Sequence, residues 1–411
     1  MGVSSGHGSP SRKYSFKYPL DMIYFDNAAT TPLHPQALEA MLPYLTERFG
    51  NPSAAYGPAR QAQQAIDDAR KAVAAVLGCR PSDLIFTSGG TESINTALKG
   101  VAFAQRKAGA GNHIVTTEVE HHAVLHTCDY LEQFGFEVTY VPVDRSGRVD
   151  PEDVGRALTE RTVLVSVMLA NNEVGTIEPV AETAALVARR GRALRRRIAF
   201  HTDAIQAPGS LSIDVDALGV DLLSLSGHKF GGPKGTGVLF LRRGIPFVPQ
   251  ISGGGQERQR RAGTENVAGF VGLATALDLA EAGRAAFVEH CAHLRDDLIE
   301  AILASIPDAS LNGHPTERLA NNLNVSFRGV RGDRLVAALD KASIATSAGA
   351  ACGSSTWEPS HVLLAMGLSM SEAVGGLRLT LSAANTAAEA AALLRVLPDA
   401  VGRLRSLSSA R

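Results

Sequence analysis

The sequence predicts an α/β protein whose mostly parallel central sheet is covered by helices. Short, nearly continuous apolar runs alternate along the chain with helical patterns, and such runs are typical of strands that are buried on both faces. The predicted strands cover residues 84–87, 113–117, 136–143, 162–169, 198–202, 220–226 and 236–241. Helical patterns flank or separate these strands between residues 58 and 109 and at 121–134 and 180–190.

A second, smaller α/β part follows this sheet. Helices rich in Ala and Leu are predicted at 266–282 and 285–304, then a strand at 322–327 and a last helix at 387–404. We expect a large ligand-binding domain of residues 34–283, and a small domain that combines residues 22–33 with 284–411. Residues 1–21 lack the apolar core of a signal peptide, which favours a flexible tail.

Bulk composition excludes several classes of protein. Apolar residues make up 45% of the 411 residues, and 40 Lys and Arg balance 41 Asp and Glu. No charge excess therefore attracts nucleic acid or an anionic membrane, and no apolar run approaches the roughly 20 residues of a membrane span. Four cysteines without a CxxC pair are too few for a disulfide framework. They indicate a reducing, cytoplasmic setting.

Lys229 is the strongest candidate for covalent chemistry. It ends the tetrapeptide Ser-Gly-His-Lys at 226–229, directly after the apolar run at 220–226. A partly desolvated amine has a lowered pKa and becomes a usable nucleophile for a carbonyl carbon. The alternative is a lysine at a strand end whose ammonium group lies in water.

A turn of small residues offers a phosphate site. The stretch Thr-Ser-Gly-Gly-Thr-Glu-Ser at 87–93, which includes Gly90 and Thr91, follows a strand and opens a helix. Small residues let the backbone approach a ligand, and the free amides of a first helical turn favour a phosphate. The alternative is an ordinary helix start with a Ser or Thr cap.

Three further strand ends carry polar side chains. Asp203, with Gln206 three residues on, needs a cationic partner such as a protonated ring nitrogen, or else it caps a helix. Asn172 offers an amide to a phenolic oxygen or a carboxylate, or else it lies in a simple turn. His121 has an imidazole that could stack on a flat ring or move protons. The alternative is zinc bound by His121, His122, His126 or Cys128.

These groups together match one cofactor. Open α/β sheets bind ligands at the carboxyl ends of their strands, where all five motifs lie. Pyridoxal 5′-phosphate has a phosphate, a flat ring, a phenolic oxygen, a ring nitrogen and an aldehyde, and each has a matching group in these motifs. The sequence therefore predicts that the protein binds pyridoxal 5′-phosphate.

Two residues outside these motifs are candidates for handling a substrate. Cys352 stands in a stretch of Gly, Ala and Ser at 347–355, which favours a mobile loop over the alternative of a small buried thiol. Arg378 is a single Arg within the apolar run at 376–381 and needs an anionic partner. A substrate carboxylate would serve, and the alternative is a structural ion pair.

The chain resembles the cysteine desulfurases, pyridoxal-phosphate enzymes of the class V aminotransferase group with the fold type I architecture. The resemblance covers nearly the whole chain, from Tyr-Phe-Asp-Asn-Ala-Ala-Thr-Thr-Pro at 24–32 to about residue 404. Ser-Gly-His-Lys followed by Gly-Pro-Lys-Gly at 232–235 is typical of the group. The loop that ends in Cys352, followed by Glu-Pro-Ser-His-Val-Leu at 358–363, resembles the desulfurases that have a longer, mobile cysteine loop.

The resemblance implies a role for each matching position. Lys229 would hold the cofactor, and Asp203 would pair with its ring nitrogen. His121 would stack on the ring. Contacts to the phenolic oxygen side would come from Asn172 and Gln206, and contacts to the phosphate from Gly90, Thr91, Ser226 and His228. Thr264 would reach the phosphate of a neighbouring subunit, which implies a homodimer.

The implied reaction converts L-cysteine to L-alanine. Arg378 would bind the substrate carboxylate, Lys229 would remove the α-proton, and Cys352 would take the sulfur as a persulfide. The sulfur would pass to an acceptor protein, and iron–sulfur cluster assembly, tRNA thiolation and DNA sulfur modification all stay open as pathways. The alternatives are a selenocysteine lyase, an aminotransferase or another lyase on the same fold, and a non-catalytic sulfur relay.

Overall fold

The computed structural model describes residues 22–349 and 359–409. The predicted flexible tail at 1–21 and the predicted mobile loop with Cys352 both lie outside the described residues. The strands are β1 (Ile23–Tyr24), β2 (Leu84–Thr87), β3 (His113–Thr117), β4 (Glu137–Val141), β5 (Thr162–Ser166), β6 (Ala199–Asp203), β7 (Leu222–Ser226), β8 (Gly237–Leu241), β9 (Ala309–Asn312), β10 (Asn322–Phe327), β11 (Ile344–Ala345) and β12 (Gly376–Thr380).

The helices surround three sheets. They are α1 (Pro35–Leu45), α2 (Gly57–Leu77), α3 (Gly90–Lys107), α4 (His122–Glu132), α5 (Pro151–Ala157), α6 (Val180–Ala193), α7 (Gln256–Gln259), α8 (Val267–Ala282), α9 (Arg284–Ser305), α10 (Gly332–Asp340), α11 (His361–Ala365), α12 (Met370–Ala373) and α13 (Ala387–Ser409). Among the described residues, no helix combines the length and the apolar character needed to span a membrane.

The central sheet has the strand order β2-β8-β7-β6-β5-β3-β4. Strands β4, β3, β5, β6 and β7 are parallel, whereas β8 runs antiparallel to both of its neighbours, β7 and β2. The prediction of a mostly parallel sheet is therefore confirmed. Because β2 runs in the same direction as these five strands, six carboxyl ends lie along one edge of the sheet.

Alternation of side chains along the strands builds a core on each face of this sheet. Phe86, Val115, Val165, Phe200 and Leu223 point into one core, where they meet α2, α6 and α8. Their chain neighbours point the other way into a second core with α3 and α4; these are Ile85, Ile114, Leu164, Ala199 and Leu222. Successive side chains of a strand point to opposite faces of the sheet. When helices cover both faces, the side chains on both faces must therefore be apolar.

A separate core lies in the C-terminal part of the chain. The antiparallel sheet β12-β10-β9 packs with α9, α10 and α13 through side chains such as Leu298, Leu323, Leu377 and Leu393. Phe25 from the start of the described chain is fully buried in the same core. The exact domain limits proposed from the sequence stay a prediction.

Several elements were not predicted from the sequence. Helices α1, α5 and α10 were missed, because α1 contains Pro43 and the other two have only seven and nine residues. The predicted strand at 162–169 is too long, since β5 ends at Ser166. The chain then forms a turn that is closed by an antiparallel bridge between Ala170 and Ile177.

Candidate active site

A cavity of about 680 Å³ opens at the carboxyl edge of the central sheet. Its walls come from the segments that follow β2, β3, β5, β6 and β7, together with parts of the C-terminal region. The cavity brings together ten of the residues singled out in the sequence: Gly90, Thr91, His121, Asn172, Asp203, Gln206, Ser226, His228, Lys229 and Arg378.

The floor of one end of the cavity is the first turn of α3. A Cβ atom on Gly90 would lie 2.2 Å from Cδ1 of Ile205 and 3.3 Å from Cβ of Ser226, so a larger residue there would force the end of the Ile205 side chain to move. The first four amides of a helix have no partner within the helix, and they carry partial positive charge. This turn is therefore a cradle for an anion that approaches the backbone closely.

Lys229 lies in the short 3-10 turn that follows β7. Its Nζ donates hydrogen bonds to the carbonyl oxygens of Ala28 and Ala29, at 2.5 Å and 2.9 Å. Burial lowers the pKa of the amine to about 8, with a further contribution from Arg378. Near physiological pH, the neutral form makes up a larger fraction of this amine than it does in an exposed lysine. Lys229 is therefore a better nucleophile and base.

Asp203 ends β6 with its carboxyl group buried. One oxygen accepts a hydrogen bond from the backbone N–H of Ile205 at 2.9 Å, and burial raises the pKa of the carboxyl group to about 6. Between β6 and β7, where every residue is described, the chain forms turns and no helix, so this contact belongs to a turn and the helix-capping alternative is wrong. The hydrogen bond from Ile205 and the positive charge of Lys229 oppose this rise in pKa only in part. Gln206 is nearby and donates to the carbonyl of Ala28 at 3.1 Å.

His121 caps the amino end of α4. Its Nδ1 accepts a hydrogen bond from the N–H of Ala123 at 3.0 Å, so the proton of the neutral ring lies on Nε2. Burial lowers the pKa of His121 to about 4, and Lys229 and His122 add to the effect. The ring is therefore uncharged at neutral pH. The zinc alternative finds no support, since the described residues contain no His, Cys, Asp and Glu cluster that could hold a metal ion.

Arg378 on β12 has both an ion pair and spare hydrogen-bonding capacity. Its Nη2 lies 2.7 Å from Oδ1 of Asp26, and its Nη1 donates to the carbonyl of Asn172 at 3.0 Å. Its Nε is buried without a hydrogen-bond partner in the described structure. The structural ion pair considered from the sequence is thus present, and the same guanidinium lines the cavity.

Two predicted site residues do not line the described cavity. Thr264 is exposed in the loop before α8, whose Arg261 pairs with Glu92 of α3 at 2.9 Å. Cys352 lies outside the described residues, but Gly349 before it and His361 after it both line the cavity.

Sequence reasoning missed other residues of the cavity. Asp26 and Glu173 both line it, as does His361, whose ring centroid lies 4.5 Å from that of His122. Asp26 is part of the quoted motif at 24–32, and Glu173 follows Asn172 directly, so proximity in the sequence was the available signal. The contribution of His361 depends on long-range packing that no local pattern reveals.

The fold and this site define an α/β enzyme with a lysine, a buried carboxylate and an anion cradle at one sheet edge. A family model described as Aminotransferase class-V matches residues 23–393. The chain belongs to the class-V aminotransferase family. It is 50% identical to a protein named cysteine desulfurase IscS from Methanosarcina thermophila, over 94% of this chain and 93% of that protein.

Solved structures agree with this assignment. A structure named NifS-like protein has a TM-score of 0.84 and 38% identity, covering 95% of this chain and 100% of that one. Another, named SspA in complex with cysteine, has a TM-score of 0.76 and 37% identity, covering 88% of this chain and 99% of that one. The predicted resemblance and the predicted fold type I architecture are confirmed.

Proposed function

We propose that the protein is a cysteine desulfurase, which converts L-cysteine to L-alanine and transfers the sulfur to Cys352 as a persulfide. The observation that carries the proposal is the convergence, in one cavity, of a lysine with a lowered pKa, a buried carboxylate and an arginine with an unpaired N–H. An amine, a charge-stabilising acid and a carboxylate clamp are the groups that cleavage of an amino acid requires.

The cavity fits pyridoxal 5′-phosphate. The helix turn at Gly90 has no side chain between its backbone and the cavity, and the carboxyl group of Asp203 has a pKa raised to about 6, so a protonated ring nitrogen would suit it as a partner. Thr91, Ser226 and His228 would complete the phosphate contacts, and Asn172 and Gln206 would face the phenolic oxygen. When bound, this cofactor supplies an electron-withdrawing ring that stabilises negative charge on the substrate's α-carbon.

Each residue of the site would then have its own role in the reaction. Lys229 would anchor the cofactor and, as a neutral amine, take the proton from the substrate's α-carbon. The neutral ring of His121 would lie against the cofactor face, and Arg378 would orient the substrate carboxylate. Sγ of Cys352 would bond to the substrate sulfur while the carbon–sulfur bond breaks. The electron pair of the broken bond would stay on the β-carbon of the substrate. Protonation of this carbon would then give the methyl group of alanine.

A homodimer and a sulfur-acceptor protein complete the proposal. Thr264 is exposed and lies outside the lining of this chain's own cavity, which supports a contact with a neighbouring subunit's phosphate. The cysteines Cys79, Cys128 and Cys291 are all free thiols, in keeping with a reducing cytoplasm. Iron–sulfur cluster assembly is the pathway that we propose for the sulfur.

The direct test measures alanine and sulfide released from L-cysteine by the purified, cofactor-loaded protein in the presence of a thiol reductant. We expect both products in equal amounts. If selenocysteine were cleaved and L-cysteine were not, the lyase alternative would replace the desulfurase. If an added keto acid became an amino acid, the protein would be an aminotransferase.

A further inference from the structure

The two ends of the segment that carries Cys352 meet at one buried carboxyl group. Glu173 is 5% exposed, and its Oε2 accepts a hydrogen bond from Oγ of Ser360 at 2.5 Å. A Cβ atom on Gly349 would lie 3.0 Å from the same oxygen. Gly349 directly precedes residues 350–358, and Ser360 comes two residues after them.

Gly349 lies beside the carboxyl group with its N–H donated to Oγ of Ser347, whereas Ser360 hydrogen-bonds the carboxyl group directly. Gly349 has a φ of +80°, a conformation that other residues rarely adopt, and a side chain there would press against the carboxyl group. Ser360 caps α11, because its Oγ also accepts from the N–H of Leu363 at 3.2 Å. The hydroxyl proton is thereby left for Glu173, and the contact joins the carboxyl group to the start of α11.

The carboxyl group itself is held in place by its backbone. The N–H of Glu173 donates to Oδ1 of Asn171 at 2.8 Å, and its carbonyl accepts from Nδ2 of Asn324 at 3.1 Å. The preceding carbonyl, of Asn172, accepts from Arg378 at 3.0 Å. Glu173 therefore joins the layer that contains Arg378 to Ser360, and it lies beside Gly349 at the other end of the cysteine segment.

We propose that Glu173 is a positioning residue for sulfur transfer, whose carboxylate hydrogen-bonds Ser360 beside Gly349 and so sets the position of the Cys352 segment relative to Arg378. Glu173 acts through these neighbours and does not touch the reacting atoms. The inference rests on the proposed desulfurase function, since only a reaction at Cys352 requires that the segment be placed accurately.

The protonation state of Glu173 gives the proposal a distinctive signature. Burial raises the pKa of its carboxyl group to about 7, while the hydrogen bond from Ser360 and the positive charge of Arg378 oppose the rise. Asn324 and Gly349, which also face Glu173, carry no charge. The ionised form accepts the stronger hydrogen bond. The positioning effect is therefore present above about pH 7 and is lost as the pH falls through that value.

The test compares the parent protein with Glu173→Gln, which keeps the shape and removes the charge. Steady-state alanine formation is measured over a range of pH in the cofactor-loaded enzyme. Near pH 8.5 we expect kcat to fall by about tenfold while KM for cysteine stays unchanged, because a lost charged hydrogen bond misplaces the segment and not the substrate. Near pH 6 the two kcat values should converge, since the parent carboxyl group is then protonated too.

Matched variants distinguish a loss of positioning by Glu173 from general damage to the structure. Glu178→Gln neutralises another buried carboxyl group, whose pKa burial raises to about 8 and which lies outside the cavity lining. It should leave kcat unchanged at every pH. Ser360→Ala should lower kcat as Glu173→Gln does, and Ser360→Thr, which keeps the hydroxyl group, should restore it. The double variant of Glu173→Gln with Ser360→Ala should be no worse than either single variant, because both remove one contact.

Each other outcome has a definite meaning. An unchanged kcat in Glu173→Gln, a loss of equal size at every pH, or a parallel rise in KM would overturn the positioning role. A parent protein that makes no alanine from cysteine would instead overturn the proposed function itself. Trapping the persulfide after a single turnover provides an independent readout, in which Glu173→Gln should form it more slowly with an unaltered cofactor absorption spectrum.

Discussion

At the scale of single residues, burial sets the protonation states in the cavity. It lowers the pKa of Lys229 to about 8 and raises that of Asp203 to about 6, while each partly offsets the other's shift through its charge. Burial also keeps His121 neutral at physiological pH, with a pKa of about 4. One carboxylate and one amine with opposite shifts are typical of sites that move protons.

Asp203→Asn tests the role of the buried carboxylate. The amide keeps the size of the side chain but cannot hold a proton on a ring nitrogen by charge. We expect kcat for alanine formation to fall by about 100-fold or more, because a charge aimed at the reacting group is lost. Steady-state kinetics with the loaded enzyme provide the measurement. Glu178→Gln, a neutralised carboxyl group outside the cavity, is the control and should keep the parent rate.

Single residues also mark the limits of sequence reasoning. Lys229, Asp203 and the turn around Gly90 were found because each follows an apolar strand whose end is visible in the sequence. The ion pair between Arg378 and Asp26 joins residues that are 352 positions apart, so no local pattern could identify the partner. The contact between Glu173 and Ser360 could not be predicted from the sequence for the same reason.

At the scale of elements, the helix α3 and the strands around it shape the proposed phosphate cradle. The strands could be predicted because each is buried on both faces and reads as a continuous apolar run. Short helices could not, because α5 and α10 offer too few turns for a periodic pattern and α1 contains a proline. The close approach of α3 to Ile205 depends on tertiary packing.

Gly90→Ala tests this approach. The added Cβ would lie 2.2 Å from Cδ1 of Ile205, so either the Ile205 side chain or the first turn of α3 must move, and both line the cavity. We expect cofactor affinity to fall by at least about tenfold, because either movement disturbs the contact between the turn's amides and the phosphate. The affinity is measured by titrating the apoprotein with cofactor and following the absorbance. Gly402→Ala in α13, where a Cβ meets nothing within 4 Å, should bind the cofactor like the parent. Equal affinity in the two variants would contradict the cradle.

At the scale of the whole molecule, the candidate active-site cavity lies between two parts of the chain that each have their own hydrophobic core. The central sheet supplies Lys229 and Asp203, whereas the C-terminal part supplies Arg378. The general arrangement could be predicted from the order of strands and helices. The fit between the parts could not, because it depends on contacts such as that of Arg378 with Asn172.

The proposed homodimer gives a prediction at the same scale. Thr264→Ala should weaken cofactor binding by several-fold if its hydroxyl group reaches a neighbouring subunit's phosphate, because one hydrogen bond to a charged group is lost. Sedimentation should give a dimer for both the parent and the variant. Thr316→Ala, which also removes a hydroxyl group from an exposed loop, is the control and should not change affinity. A fully active monomer would rule out the shared site.

The measurement that tests the desulfurase proposal most directly is alanine release by Cys352→Ser. Serine matches the size of cysteine, but its hydroxyl group is far harder to ionise and cannot accept the sulfur at neutral pH. We expect the variant to bind the cofactor and to change its absorbance with cysteine, while alanine release falls by orders of magnitude and no protein persulfide forms. Alanine release at the parent rate would show that Cys352 is a bystander, and would contradict the proposed transfer of sulfur to this residue.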